Sequence, residues 1–197
     1  IEFLRRISNA SFNYASVIHK AYSESEDFNQ YDAENNLDTQ LSLVSRLIKG
    51  GLKTKVYMVT YGGFDTHSGQ VVATDTTTGS HANLLKVLSD SIAAFQSDMV
   101  GLEIEDRVIG MTYSEFGRRI KSNASGGTDH GSAAPLFLFG KNVRGGVFGN
   151  NPTIPITATV NDNVPYQYDF RTIYNTILHN WICVTATAKP EILPKPF

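Results

Sequence analysis

Three short clusters in this chain carry the residue types that metal and acid–base chemistry require. Asp65 and His67 stand two apart in Gly62-Gly-Phe-Asp-Thr-His67. Glu115 and Arg118 lie in Ser114-Glu-Phe-Gly-Arg-Arg119, and Asp129 and His130 are adjacent in Gly127-Thr-Asp-His-Gly131. A hard carboxylate beside an imidazole suits zinc, manganese or iron, whereas an all-oxygen calcium site has no need of the histidine. Glu115 could serve as a ligand, as a general base, or as an acid favoured by a helix dipole. Arg118 and Arg119 could grip an oxyanion through a two-pronged guanidinium, or sit in solvent. Plainer readings exist for the rest: Asp65 capping a turn with His67 in solvent, and Asp129 bracing a glycine turn. The first two clusters each follow an apolar run and the third precedes one, however, an arrangement that independent turns would not be expected to give. Together they indicate a metal-dependent site with hydrolytic chemistry, built where open α/β sheets build theirs.

The elements that would position these clusters can be read from periodicity. Phe3, Ile7, Ala10, Tyr14, Val17 and Ala21 recur at helical spacing, so the first stretch reads as an amphipathic helix with that face inward. A second helix runs from Ala33 to Lys49, with Leu37, Leu41, Val44, Leu47 and Ile48 inside and Gly50-Gly51 ending it. Lys55 to Tyr61 is β-branched and aromatic, the pattern of a strand buried on both faces. Ser68 to Ser80 is a long loop beside the site, and Ser80 is suited to cap the helix marked by Leu84, Leu88, Ile92, Phe95 and Met99. Residues 107–112 and 135–139 read as further strands. Asp169 caps a last helix whose inner face is Phe170, Ile173, Tyr174, Ile177 and Trp181. This order predicts one α/β domain over residues 1–197, with a mainly parallel sheet flanked by helices. The crossover from 55–61 to 107–112 should be right-handed.

Composition narrows the function. The chain has 197 residues, 41% of them hydrophobic and 18% charged, as in an ordinary globular domain. A net charge of −2 gives no basic excess for nucleic acid. The single cysteine, Cys183, excludes a cysteine zinc site and an internal disulfide, and its apolar surroundings suggest a buried, inert thiol. No apolar run is long enough to span a bilayer. Serine-hydrolase elbows, phosphate-cradling loops and dinucleotide fingerprints are absent from the sequence.

Several longer strings resemble a known family. They are Leu47 through Val59, Gly62 through His67, Leu84 through Asp90 with Ala94-Phe95, and Ser114 through Arg119. Gly126 through Gly131, Gly145-Gly-Val-Phe-Gly149 and Asp169 through Tyr174 complete the set. They resemble a group of bacterial proteins catalogued as a domain of unknown function, often exported by the twin-arginine route and related to the alkaline phosphatase and sulfatase superfamily. The resemblance covers most of residues 37–182. It implies an alkaline-phosphatase-like fold, of which this chain corresponds to the C-terminal part, and a periplasmic or secreted location. It also implies a divalent metal, zinc first with manganese or calcium open, acting on a small anionic phosphate or sulfate ester. Asp65, His67 and His130 would hold one ion and Glu115 a second, with Asp129 joining either or bracing its loop. After the strand at 107–112 the superfamily usually has an Asp-His pair; here Ser-Glu-Phe stands there. An early aspartate and a Ser, Thr or Cys nucleophile would come from a missing N-terminal half or another subunit. Two alternatives follow from the same resemblance: a secreted binding or scaffold protein that keeps the fold, and a mutase.

Overall fold

Burial between two long helices organises the molecule, and the site is hung on loops beside them. The computed structural model describes residues 2–184. Helix α1 spans Glu2–Ser23, α2 Asn36–Lys49, α3 Ser80–Gly101 and α4 Phe170–Asn180. The described residues also form a single 3-10 turn, Glu105–Arg107, and four two-residue strands: β1 Gly110–Met111, β2 Gly117–Arg118, β3 His130–Gly131 and β4 Leu138–Phe139.

Helix α2 begins at Asn35, whose side chain accepts from the Leu37 N–H and so satisfies a donor that has no partner within the helix. It ends at Gly50, and Gly51 follows with φ +80, a left-handed conformation that glycine adopts without penalty. The expected inner face is the observed one: Leu37, Leu41, Leu47 and Ile48 are buried. Phe95 and Met99 of α3, with Ile104 just beyond it, meet that face to form the core. Each such side chain contributes roughly 1.5–3 kcal/mol by leaving water. Ser80 does not cap α3. Its hydroxyl donates to the Gly69 carbonyl at 2.7 Å and ties the preceding loop to the helix instead.

Within this apolar layer lies a fully buried carboxylate. Asp98 is 0% exposed, and it accepts from the Phe28 and Asn29 N–H groups at 2.6 and 3.0 Å. Its other oxygen accepts from the Tyr31 hydroxyl at 3.0 Å and from Ser45. Burial, then the neighbouring Asp98 charge, pushes the Tyr31 phenol well above its usual range. Burying a carboxylate costs several kcal/mol unless it is so bonded. The result pins the 24–32 loop across α2 and α3.

Three expectations are corrected. In α1 the face containing Tyr14 and Val17 is 54% and 52% exposed, and only Ala21 of that stripe is buried among the residues whose side chains are described. The C-terminal end of α1 is what packs on α2, with Arg46 reaching the Tyr22 carbonyl at 2.8 Å. Cys183 is exposed, following the end of α4 with φ 59. In α4, Asp169 caps as expected, accepting from the Arg171 N–H at 2.9 Å, but Phe170 is exposed.

The described residues form no parallel sheet. β1 pairs with β4 antiparallel, Gly110 opposite Phe139, and β2 pairs with β3 antiparallel, Arg118 opposite His130. Residues 55–61 are extended without a ladder: Tyr57, Val59 and Tyr61 pack on the core, while Val56 and Met58 are 68% and 73% exposed. Gln40 bonds both polar backbone groups of Thr60, at 2.9 Å each. A strand apolar on both faces gains its ladder only from a neighbour, and among the described residues none pairs with it.

Candidate metal centre

Two loops build the site, and small residues let them meet. After the extended segment 55–61, tight turns bond the Thr66 N–H to the Phe64 carbonyl at 2.9 Å and the His67 N–H to the Asp65 carbonyl at 3.1 Å. Thr66 turns inward and is buried, its hydroxyl 3.1 Å from Gln70 Oε1. Asp65 and His67, on either side of it, are left facing solvent together. The second loop, 123–131, lies so close that a Cβ on Gly127 would overlap the Thr66 and His67 backbone, so glycine is required there by contact. The Thr128 N–H donates to the Thr66 carbonyl at 3.2 Å, and Asn123 donates to the His67 carbonyl at 2.9 Å. β3 then delivers His130 alongside β2.

Asp65 Oδ1 is the hub. His130 Nε2 lies 2.6 Å from it, His67 Nε2 3.0 Å, and Arg118 Nη2 3.4 Å. One ligand atom from each of Asp65, His67 and His130 falls within 4.8 Å of the others, and all three residues are exposed. The hydrogen bond from His130, with the charges of His67, His130 and Arg118, holds the Asp65 carboxyl below its usual value. The His67 and His130 rings sit 4.9 Å apart, centroid to centroid. Phe116 stacks on His130 at 3.9 Å and 5°, fixing the plane of that imidazole, with the Arg118 guanidinium 4.8 Å from the Phe116 ring centre.

The donor set of two imidazole nitrogens and one carboxylate oxygen is that of three-ligand catalytic zinc sites, which keep a fourth position open. It fits zinc or manganese and fits calcium poorly, since calcium takes six to eight oxygens.

The other residues singled out from the sequence are placed differently. Glu115 is exposed and makes no hydrogen bond or ion pair among the described residues, and it is not part of the cluster. Arg118 is not available to an oxyanion: only 17% of its side chain is exposed, and its guanidinium bonds the Phe64 and Thr128 carbonyls. It ties the loop of Asp65 and His67 to that of Asp129 and His130. Asp129 also stands outside the three-residue cluster, with Oδ1 3.0 Å from His67 Nδ1. Arg119 reaches the His130 carbonyl at 3.2 Å and Asn161 at 3.1 Å. His81 is partly buried against Phe64, where burial and then the Arg118 charge lower its basicity.

Sequence reasoning did not single out Asn123 or Phe116. Asn123 organises its loop, accepting from the Ser125 and Gly127 N–H groups at 3.0 and 3.1 Å. Its position in a small-residue loop carried the signal of an Asx turn. Phe116 lies inside the Ser114–Arg119 motif, but a stacking partner across two loops has no sequence signature.

Comparison with known proteins gives one match. A family model described as a protein of unknown function, DUF1501, matches residues 15–187. No curated protein and no solved structure is significantly similar.

Proposed function

The chain belongs to the DUF1501 family, and from that premise we propose that it is a metal-dependent hydrolase of small phosphate or sulfate esters. The observation that carries the reading is the convergence of one ligand atom each from Asp65, His67 and His130 within 4.8 Å on an exposed surface. Those three residues would hold the ion. A divalent ion there supplies Lewis-acid stabilisation of charge developing on the ester, worth several kcal/mol. The chain's own contribution is orientation: Arg118 fixes the two loops, and Phe116 and Asp129 fix the two imidazoles. With Arg118 committed to carbonyls, the ester's negative charge would be met chiefly by the ion. The reading extends to an alkaline-phosphatase-like α/β fold completed by a partner segment beside residues 55–61, and to a periplasmic or secreted setting.

A second reading, a protein that holds one ion and binds an anionic ligand without turnover, is favoured by a specific observation. Glu115, the carboxylate assigned to a second ion, stands free of the cluster. Two-ion catalysis of ester hydrolysis needs ions roughly 4 Å apart.

The test is hydrolysis of nitrophenyl phosphate and nitrophenyl sulfate with added zinc, manganese or calcium, by the full-length protein and its His130→Ala variant. Turnover that falls at least 100-fold in His130→Ala supports the hydrolase. Equal rates in the two proteins would remove His130 from the chemistry, and zinc binding without turnover would establish the second reading.

A further inference from the structure

Asp129 and His67 form a contact that the ligand cluster does not use. His67 is held at both nitrogens by carboxylates: Nε2 is 3.0 Å from Asp65 Oδ1 and Nδ1 is 3.0 Å from Asp129 Oδ1. The two carboxylates therefore do different things. Asp65 lies on the Nε2 side with His130, where the ligand atoms gather, and Asp129 lies on the Nδ1 side, away from them. Asp129 Oδ1 is itself held, accepting from Asn123 Nδ2 at 3.2 Å, and Asn123 donates also to the His67 carbonyl at 2.9 Å. The Asp129 carbonyl receives the Arg119 N–H at 3.0 Å, which anchors the residue where β2 ends. Asp129 is thus braced by its neighbours before it meets the imidazole.

We infer that Asp129 is the positioning residue of the centre: it accepts the Nδ1 proton of His67 and so commits Nε2 to the ion. The inference rests on the ion-binding reading for its consequence, though the contact itself exists without an ion. An imidazole carries one proton when neutral, so a firm Nδ1–H···O⁻ bond leaves the Nε2 lone pair for coordination. Carboxylates behind ligating histidines also raise the donor strength of the ring, and losing one costs about 10–100-fold in metal affinity. Among the described residues, no carboxylate bonds His130 Nδ1. Its ring is oriented by the face of Phe116 instead, so the two imidazoles are steered by different physics.

The inference predicts that Asp129 behaves unlike the three ligands. Nitrogen-15 correlation spectra of the metal-free full-length protein, at a pH alkaline enough for neutral imidazoles, should show His67 protonated at Nδ1. Asp129→Ala should let His67 drift to the mixture of tautomers seen in free imidazole, whereas Asp129→Asn, which keeps an acceptor oxygen, should retain the Nδ1 form. Zinc titrated alone into each protein should bind about 10–100-fold more weakly to Asp129→Ala. Asp129→Asn should fall between that and wild type, with the stoichiometry unchanged. An Nε2-protonated His67 in the wild type would overturn the inference. So would an Asp129→Ala protein with unaltered tautomer and zinc affinity. If Asp129→Asn loses zinc as fully as Asp65→Ala does, Asp129 is a ligand and the inference is again wrong. A wild type that shows the Nδ1 tautomer but binds no zinc would defeat the proposed function and leave the positioning contact standing.

Discussion

The α2–α3 layer and the loop-built centre are held together by opposite means. Between the helices, Leu37, Leu41, Phe95 and Met99 exclude water, and the fully buried charged group there, Asp98, is enclosed by four donors. At the centre, Asp65, His67 and His130 stay in water, and their geometry comes from bonds between loops: Arg118 to two carbonyls, Asn123 to His67, Asp129 to His67. Burial is non-directional and tolerates small shifts, whereas a ligand cluster needs each atom placed. Exposed polar contacts contribute little to stability but specify orientation well. Stability and site geometry should therefore separate when each region is damaged.

The largest effect expected is on the layer. Phe95→Ala should cost about 3–5 kcal/mol in urea denaturation, from lost burial and a residual cavity. A cost below about 1 kcal/mol would mean that the layer is not the stabilising region. Asp98→Ala comes next, at about 3 kcal/mol, because each stranded donor carries a penalty of about 1–3 kcal/mol. In Asp98→Asn the loss should be smaller, since the amide oxygen still accepts. Arg118→Ala tests the seam between the regions. It should lower stability by about 2 kcal/mol and weaken zinc binding at the same time. Arg118→Lys should not restore the affinity, since a single ammonium lacks the planar fork that meets two carbonyls. Asp65→Ala should leave the denaturation midpoint nearly unchanged while removing zinc binding; a large drop in midpoint would show that the centre is a structural support.

The smallest effect is on pH dependence. The Asp65 carboxyl is held below 3.8 first by the His130 hydrogen bond, and the Asp129 carboxyl first by His67 and then Asn123. A depressed native value contributes stability that is fully present above 3.8 and is lost as pH falls below it through the native values. Carboxyl carbon shifts should report half-titration of both residues below 3.8, and His67→Ala should move Asp129 back toward it. Titration of Asp129 at the same pH in both proteins would break the coupling.

What could be read from the sequence follows the same division. Side chains buried by their own helix repeat declared themselves: the Leu37–Ile48 stripe, Phe95 and Met99, and the Asp169 cap. Asp65, His67 and His130 were legible as residue types able to hold a metal, each close to glycines in the sequence. Roles that depend on a partner across the chain were not. Arg118 looked like an anion clamp because nothing local says that Phe64 and Thr128 will present carbonyls to it. Asp129 read either as a ligand or as a brace of its own loop, because adjacency to His130 in sequence hides its contact with His67 in space. The strand at 55–61 had the right composition, but ladder formation is a property of two segments, and composition speaks for one.

Residues 55–61 also bear on handling the protein. The segment is β-branched, aromatic and uncharged from Val56 to Tyr61, with two apolar side chains in water and no ladder partner among the described residues. Such edges recruit one another in solution, and proteins normally blunt them with charge or proline. Lys53 and Lys55 stand at one end only. Solubility of the chain should therefore depend on concentration, and a lysine introduced at Met58 should raise it without touching the ligands.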